Sequence, residues 1–287
     1  MELSDKLDEI KNSEGFLTNL LREGEKRIIG VRDSGRLGVQ IKGKYESGVE
    51  DEITRADKEV MNIYLEAIRK NYPRWHIIME DDETETDFNN IQNGEIVVFF
   101  DPLDGTKLLK EGNMGYSTMA ALGIKKDNKI KPSLGLICVV ENSFISSYYT
   151  EFEKIPSANL AGEKRSRVLG RTPIERAEPK ILQPLTEQLG YEVKMIRGIG
   201  PNVLSLIKGE TSLCVYEPGV NFWDIFPAMP IISAQGGEIF GLNGAEISYN
   251  GKFKNIPEGV IMLMESEKKG EILKISSPLL EKYTSSK

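Results

Sequence analysis

The sequence predicts an α+β protein, and three observations lead there. The first quarter of the chain is dominated by helical periodicity, broken by a Gly-rich stretch. Strand-like apolar runs then follow one another with short polar turns between them. Beyond about residue 178, helix and strand patterns alternate, which is the mark of an α/β second half. With 287 residues the chain can bury a large core as one domain or as two intimate ones. Residues 1–150 read as an N-terminal α+β half and 151–287 as a C-terminal α/β half, with polar, weakly patterned residues 151–177 crossing between them.

The elements follow in order. Residues 2–28 form an amphipathic, charged helix pattern. The Gly-rich residues 30–48 suggest a loop or hairpin. Val60, Ile63, Tyr64, Ala67 and Ile68 recur at helical spacing until Pro73 stops the helix. Asp57 falls at that helix's start, where N-capping is its plain structural role. His76–Met79 is a short strand running into Glu80 and further carboxylates. Residues 96–100 read as a buried strand, and 117–124, 130–140 and 144–150 as successive antiparallel strands. Helices are then expected within 179–190 and 201–209, and strands within 191–196 and 212–218. A helix carrying Asp224 should end at Gly236-Gly237. Pro230 fits it badly, since a proline costs about 3 kcal/mol inside a regular helix, so the helix must start late or bend.

Composition narrows the function. The net charge is −7 with no basic cluster, which argues against nucleic-acid binding by a positive surface. No apolar run approaches a membrane span and no signal peptide pattern opens the sequence. Cys138 and Cys214 lie in apolar runs and are expected as buried free thiols in a reducing compartment, so a cytoplasmic location is expected. The single histidine, His76, leaves acid–base work to carboxylates, hydroxyls or water on a metal.

The chemistry concentrates in EIVVFFDPLDGTK. The apolar strand ends in Asp101 and Asp104, three residues apart, with Pro102 stiffening the turn and Gly105-Thr106 closing it. Two carboxylates this close repel unless a cation lies between them, and hard divalent ions are the usual answer. Glu80 and Asp224 add two further acids from distant segments. Alone, Glu80 reads as a solvated strand end and Asp224 as a residue easing the helix dipole.

Together these residues resemble the magnesium-dependent, lithium-sensitive phosphatases of the inositol monophosphatase and fructose-1,6-bisphosphatase superfamily. The signature D-P-(I/L)-D-(G/S)-T reads Asp101-Pro-Leu-Asp-Gly-Thr106, and Trp223-Asp224 is followed after eleven residues by Gly236-Gly237. The upstream element appears as Ile53-Thr54-Arg55-Ala56-Asp57 and the acidic pair as Glu80-Asp81, with Met79 where the family has glycine. The resemblance implies a layered α/β/α/β/α sandwich and two or three Mg²⁺ ions, with Li⁺ as inhibitor. It implies Glu80, Asp101, the Leu103 carbonyl, Asp104 and Asp224 as metal ligands. Asp57, Glu80 and Thr106 become the catalytic set, with Asp57 and Thr106 orienting the attacking water. Asp104, Gly105, Thr106, Gly200, Glu217 and Asp224 would contact substrate.

Substrate choice follows the same comparison. Glu217 in YEPGVNFWD is similar to the family glutamate that accepts hydrogen bonds from ring hydroxyls, and residues 196–200, I-R-G-I-G, resemble the family's I-R-S-x-G. Residues 169–173, L-G-R-T-P, resemble a pocket loop. Pro201 removes an amide that relatives have, and the usual G-x-G-A-x-x-N-G hairpin after Thr150 is absent. Lys107 is more like the bisphosphate nucleotidases. The implied activity is hydrolysis of an inositol phosphate or related sugar phosphate by metal-activated water. A 3′(2′),5′-bisphosphate nucleotidase, an inositol polyphosphate 1-phosphatase and a metal-dependent phosphate-binding regulator are the alternatives. Haloacid-dehalogenase-type enzymes also end a strand in aspartates, but as D-x-D rather than D-x-x-D, and give no role to Asp224. The partner is a small-molecule phosphate ester, and a homodimer is allowed because relatives are often dimers.

Overall fold

The computed structural model describes residues 3–44, 50–80, 87–148, 168–171, 181–195 and 197–285. The opening helical pattern is two helices, α1 (Leu3–Asn12) and α2 (Glu14–Asp33). They break at buried Ser13, whose hydroxyl donates to the Ile10 carbonyl at 2.7 Å and so satisfies a carbonyl at the end of α1. β1 (Gln40–Lys44) and β2 (Glu50–Ile53) form the hairpin expected in the Gly-rich region. α3 (Arg55–Asn71) follows with Thr54, not Asp57, as N-cap. Asp57 is the third helical residue and completes a capping box with Thr54.

β3 (His76–Met79), β4 (Ile96–Asp104), β5 (Ser117–Lys126), β6 (Lys129–Val139) and β7 (Ser143–Tyr148) make one sheet in that spatial order, with the short helix α4 (Thr106–Lys110) between β4 and β5. β3 runs parallel to β4 and the rest are antiparallel. The region expected as a bare crossing contains β8 (Val168–Arg171). Then come α5 (Leu182–Leu189), β9 (Glu192–Met195), α6 (Ile199–Ile207), β10 (Leu213–Tyr216), α7 (Phe222–Ile225), α8 (Ala228–Ala234), β11 (Glu238–Phe240), β12 (Val260–Leu263) and α9 (Lys269–Ser285). The second sheet has the order β11-β12-β10-β8-β9.

Alternation along the strands builds five layers, since successive side chains in a strand face opposite ways. Val98 and Phe100 of β4 pack with Leu17, Leu21, Val60 and Tyr64 of α2 and α3. Val97 and Phe99 face the other way, toward Val203 of α6, Ile231 of α8 and Phe226, which caps the end of α7. Cys214 and Met262 of the second sheet close that inner layer. Leu213 and Ile261 point outward to Leu185 of α5 and Ile272 of α9. The result is the α/β/α/β/α sandwich, and the inner core draws on both halves of the chain.

The inner layer also seats the helix that bears Asp224. Phe99 meets Phe226 edge-on at 4.7 Å and Tyr249 at 5.5 Å, while Phe222 meets Phe226 at 5.2 Å. These edge-to-face contacts add about 0.5–1.5 kcal/mol each beyond burial and press α7 against β4. The Pro230 conflict disappears because α7 ends at Ile225 and α8 starts at Ala228. Pro230 then sits in a first turn, where no amide partner is needed.

Both cysteines are free and buried, and burial pushes the Cys138 thiol up to about 12. His76 pairs its Nε2 with Glu95 at 2.8 Å, away from the acidic strand ends. Among the described residues no helix is long and apolar enough to cross a membrane.

Candidate active site

The centre of the site is the end of β4. The β4–β5 register slips between Asp101, opposite Met119, and Asp104, opposite Ser117. Pro102 falls within this irregularity, and a bulge of this kind re-aims side chains at a strand end. Asp101 is buried, and its Oδ1 accepts the Leu103 amide at 3.0 Å. Gly105 adopts φ +89°, a left-handed conformation in which a side chain would be strained. This turn lets Thr106 start α4 with its hydroxyl toward Asp57. The Thr106 hydroxyl donates to Asp57 Oδ1 at 2.9 Å and lies 3.2 Å from the Leu103 carbonyl. The other Asp57 oxygen accepts the Thr54 amide at 2.8 Å and meets the Thr54 hydroxyl. The Asp57 carboxylate therefore caps its own helix and reaches the β4 turn.

Two of the remaining acids arrive from other elements, and Asp104 closes β4 itself. Glu80 follows β3, its amide donating to the Phe100 carbonyl at 3.4 Å, and its Oε1 lies 3.2 Å from the Lys42 ammonium of β1. Asp224, third residue of α7, accepts the Asn221 amide at 3.1 Å. Asp104 Oδ2 accepts the Ser117 hydroxyl at 2.8 Å and the Ile199 and Gly200 amides at 2.7 and 3.1 Å. Ile53, Asp57, Met61, Glu80 and Pro102 line a small cleft beside these groups.

Electrostatics tie the set together. The Asp101 carboxyl is held well above the ordinary carboxylate range, by burial first and then by repulsion from Glu80, Asp224, Asp104 and Asp57. Asp57 is raised by burial, against the opposing hydrogen bonds from Thr54 and Thr106. Burial raises Asp104 as well, opposed by Ser117, Gly200 and Ile199. Among the described residues no three such side chains converge on one point. Glu80, Asp101, Asp104 and Asp224 each turn an oxygen to a nearby donor, and Asp57 turns both, which spreads the negative charge. The donors are all hard oxygens on a buried anion pressed by like charges, and that chemistry fits a divalent cation such as Mg²⁺.

Other expected residues fall less simply. Glu217 is buried, with Oε1 accepting the Ile181 amide at 3.1 Å. Gly200 was expected beside substrate, but its amide faces Asp104, and a Cβ there would lie 2.3 Å from Ser117 Oγ. The Leu103 carbonyl faces Thr106. Asp81, Thr172, Pro173, Ile196 and most of residues 151–177 lie outside the described residues. Ser117 and Lys42 were not expected at the site. A serine opening a strand and a lysine in a Gly-rich hairpin carry no signal of their own, and only the strand register and the hairpin's fold bring them there.

A five-layered α+β scaffold here gathers carboxylates from four segments, with Asp57 and Asp101 buried among them. Residues 16–277 match the inositol monophosphatase family. Inositol monophosphatase 3 of Xenopus tropicalis is 25% identical over 257 residues, 78% of this chain and 69% of that protein. The 3′(2′),5′-bisphosphate nucleotidase 1 of Mus musculus is 24% identical over 243 residues, 71% of this chain and 75% of that protein. The fold is similar to an IMPase/NADP phosphatase crystallised with Mg²⁺ and phosphate, with a TM-score of 0.70 at 14% identity, covering 93% of this chain and 95% of that one. The chain belongs to the inositol monophosphatase family and is a phosphatase of phosphate monoesters.

Proposed function

We infer that the protein is a Mg²⁺-dependent phosphomonoesterase acting on an inositol phosphate or a related sugar phosphate. The observation that carries this reading is the buried Asp101 carboxyl, pressed by Glu80, Asp104 and Asp224 beside a Thr106–Asp57 hydrogen bond. Glu80, Asp101, Asp104, Asp224 and the Leu103 carbonyl would hold two or three ions, and Li⁺ competing for the same oxygens would inhibit. When bound, such ions polarise the phosphoryl oxygens, acidify water and stabilise the leaving oxygen.

The chain's own residues orient the nucleophile and move its proton. Thr106 donates its hydrogen to Asp57 Oδ1, so its oxygen can accept a hydrogen bond from water. As water attacks phosphorus, its proton passes to the Thr106 oxygen while the Thr106 proton passes to Asp57. Burial of Asp57 raises its proton affinity, which suits that acceptor role. The Gly105 and Thr106 amides would receive a phosphate oxygen, and Glu217 would read substrate hydroxyls. No covalent phosphoenzyme is needed.

A second reading, a bisphosphate nucleotidase, is favoured by a cationic edge beside α4. Arg197 pairs with Glu111 at 2.6 Å, and Lys107 lies 3.9 Å from the same carboxylate, where a second phosphate could be attracted. The mouse nucleotidase above supports it. Turnover of inositol 1-phosphate, inositol 1,4-bisphosphate, fructose 1,6-bisphosphate and 3′-phosphoadenosine 5′-phosphate, with Mg²⁺ and with EDTA, separates these readings. Preference for 3′-phosphoadenosine 5′-phosphate would select the nucleotidase, and turnover undiminished by EDTA would overturn both.

A further inference from the structure

Asp104 is held by a device that no motif announces. One of its oxygens, Oδ2, accepts three hydrogen bonds from two different layers of the fold. Ser117 supplies its hydroxyl at 2.8 Å from the first residue of β5, directly opposite Asp104 in the strand register. The Ile199 and Gly200 amides, at 2.7 and 3.1 Å, are the first two of α6. The next residue, Pro201, has no amide hydrogen, so this helix start is occupied by Asp104. Glycine makes the approach feasible. A Cβ on Gly200 would sit 2.3 Å from Ser117 Oγ, and one on Gly198 would sit 2.7 Å from the Gly115 carbonyl and 3.2 Å from Asp104 Oδ2. Gly198 also adopts φ +81°, which favours glycine.

We propose that Ser117 and the N-terminus of α6 form a clamp that positions Asp104, fixing Oδ2 within the protein and presenting Oδ1 to the cation site. On this account Gly200 serves a metal ligand and not the substrate. The proposal rests on the reading of Asp104 as a metal ligand. A carboxylate with one oxygen fixed by three donors has little rotamer freedom left to lose, so less ordering cost is charged against ion binding. The anion also faces the favourable end of the α6 dipole. Ser117 is then a positioning residue, acting only through Asp104.

The test is Mn²⁺ binding to the full chain, followed by the electron-paramagnetic signal of free Mn²⁺, with metal-free melting measured alongside. Removing an outer hydrogen-bonding partner of a metal ligand typically weakens affinity about 10–100-fold. Ser117→Ala is expected to show a loss of that order while the metal-free protein still melts cooperatively. The loss should persist in an Asp224→Asn background and shrink in an Asp104→Asn background, which a general structural role would not produce. Unchanged affinity in Ser117→Ala, with the parent protein binding normally, overturns the clamp and leaves the phosphatase reading intact. Failure of metal-free Ser117→Ala to fold also overturns it, making Ser117 a folding residue. Failure of the parent protein to bind Mn²⁺ at all removes the metal reading itself.

Discussion

Asp101→Asn should raise the stability of the metal-free protein while abolishing activity. The side chain is 1% exposed, and four carboxylates press on it. Two unit charges about 7 Å apart at an effective dielectric near 20 repel by roughly 2 kcal/mol. The neighbours will not all be ionised together, so a net relief of about 2 kcal/mol is expected from removing the central charge. An asparagine keeps a carbonyl oxygen to accept the Leu103 amide, so that contact need not be lost. For a chain of 287 residues the gain corresponds to roughly 3 °C in melting temperature. The assay is thermal unfolding by circular dichroism in EDTA, across pH. The folded carboxyl is raised above its unfolded value, so the native state holds the proton more tightly. Parent stability is therefore fully present below the ordinary carboxylate pKa and falls as pH rises toward the folded value. That decline should be smaller in Asp101→Asn, and Mg²⁺ should raise the melting temperature of the parent only. A variant that melts at or below the parent in EDTA near neutral pH would refute the reasoning.

Two further outcomes follow from the site. Thr106→Val removes the hydroxyl between water and Asp57, and should cut kcat about 10²–10⁴-fold while calorimetry finds Mg²⁺ affinity nearly unchanged; a loss confined to KM would contradict the proton-relay role. Glu217→Gln keeps an acceptor for the Ile181 amide and should lower kcat/KM for the hydroxylated substrate by about 1–3 kcal/mol, with an aryl phosphate hydrolysed almost as before. Equal loss on both substrates would assign Glu217 to the framework that holds Ile181.

Much of this arrangement was legible in the sequence because it is written locally. Residues 96–100 form an apolar run broken by Pro102 and Gly105, and the structure has a strand, an irregular end and a left-handed turn there. Asp57 marked the helix start to within a turn, although the helix begins at Arg55 and the cap itself is Thr54. What escaped depends on long-range pairing. β8 draws its definition from β9 and β10 and is only four residues long. The split between α1 and α2 turns on one buried serine hydroxyl in an otherwise continuous helical pattern. Gly200 matched a motif, yet its amide faces a carboxylate 96 residues earlier. Motif spacing shows which residues belong together, but not which hydrogen bond each will make.

The central claim is that Glu80, Asp101, Asp104 and Asp224 act as one cation centre. Anomalous diffraction from crystals grown with Mn²⁺ tests it most directly, because the ion locates itself independently of any assumed ligand. The account predicts at least one anomalous peak at about 2.0–2.6 Å from an Asp101 carboxylate oxygen, with oxygens of Glu80, Asp104 or Asp224 in the same coordination sphere. Peaks only at other acids, or none near Asp101 in crystals that are active with Mn²⁺, would contradict it.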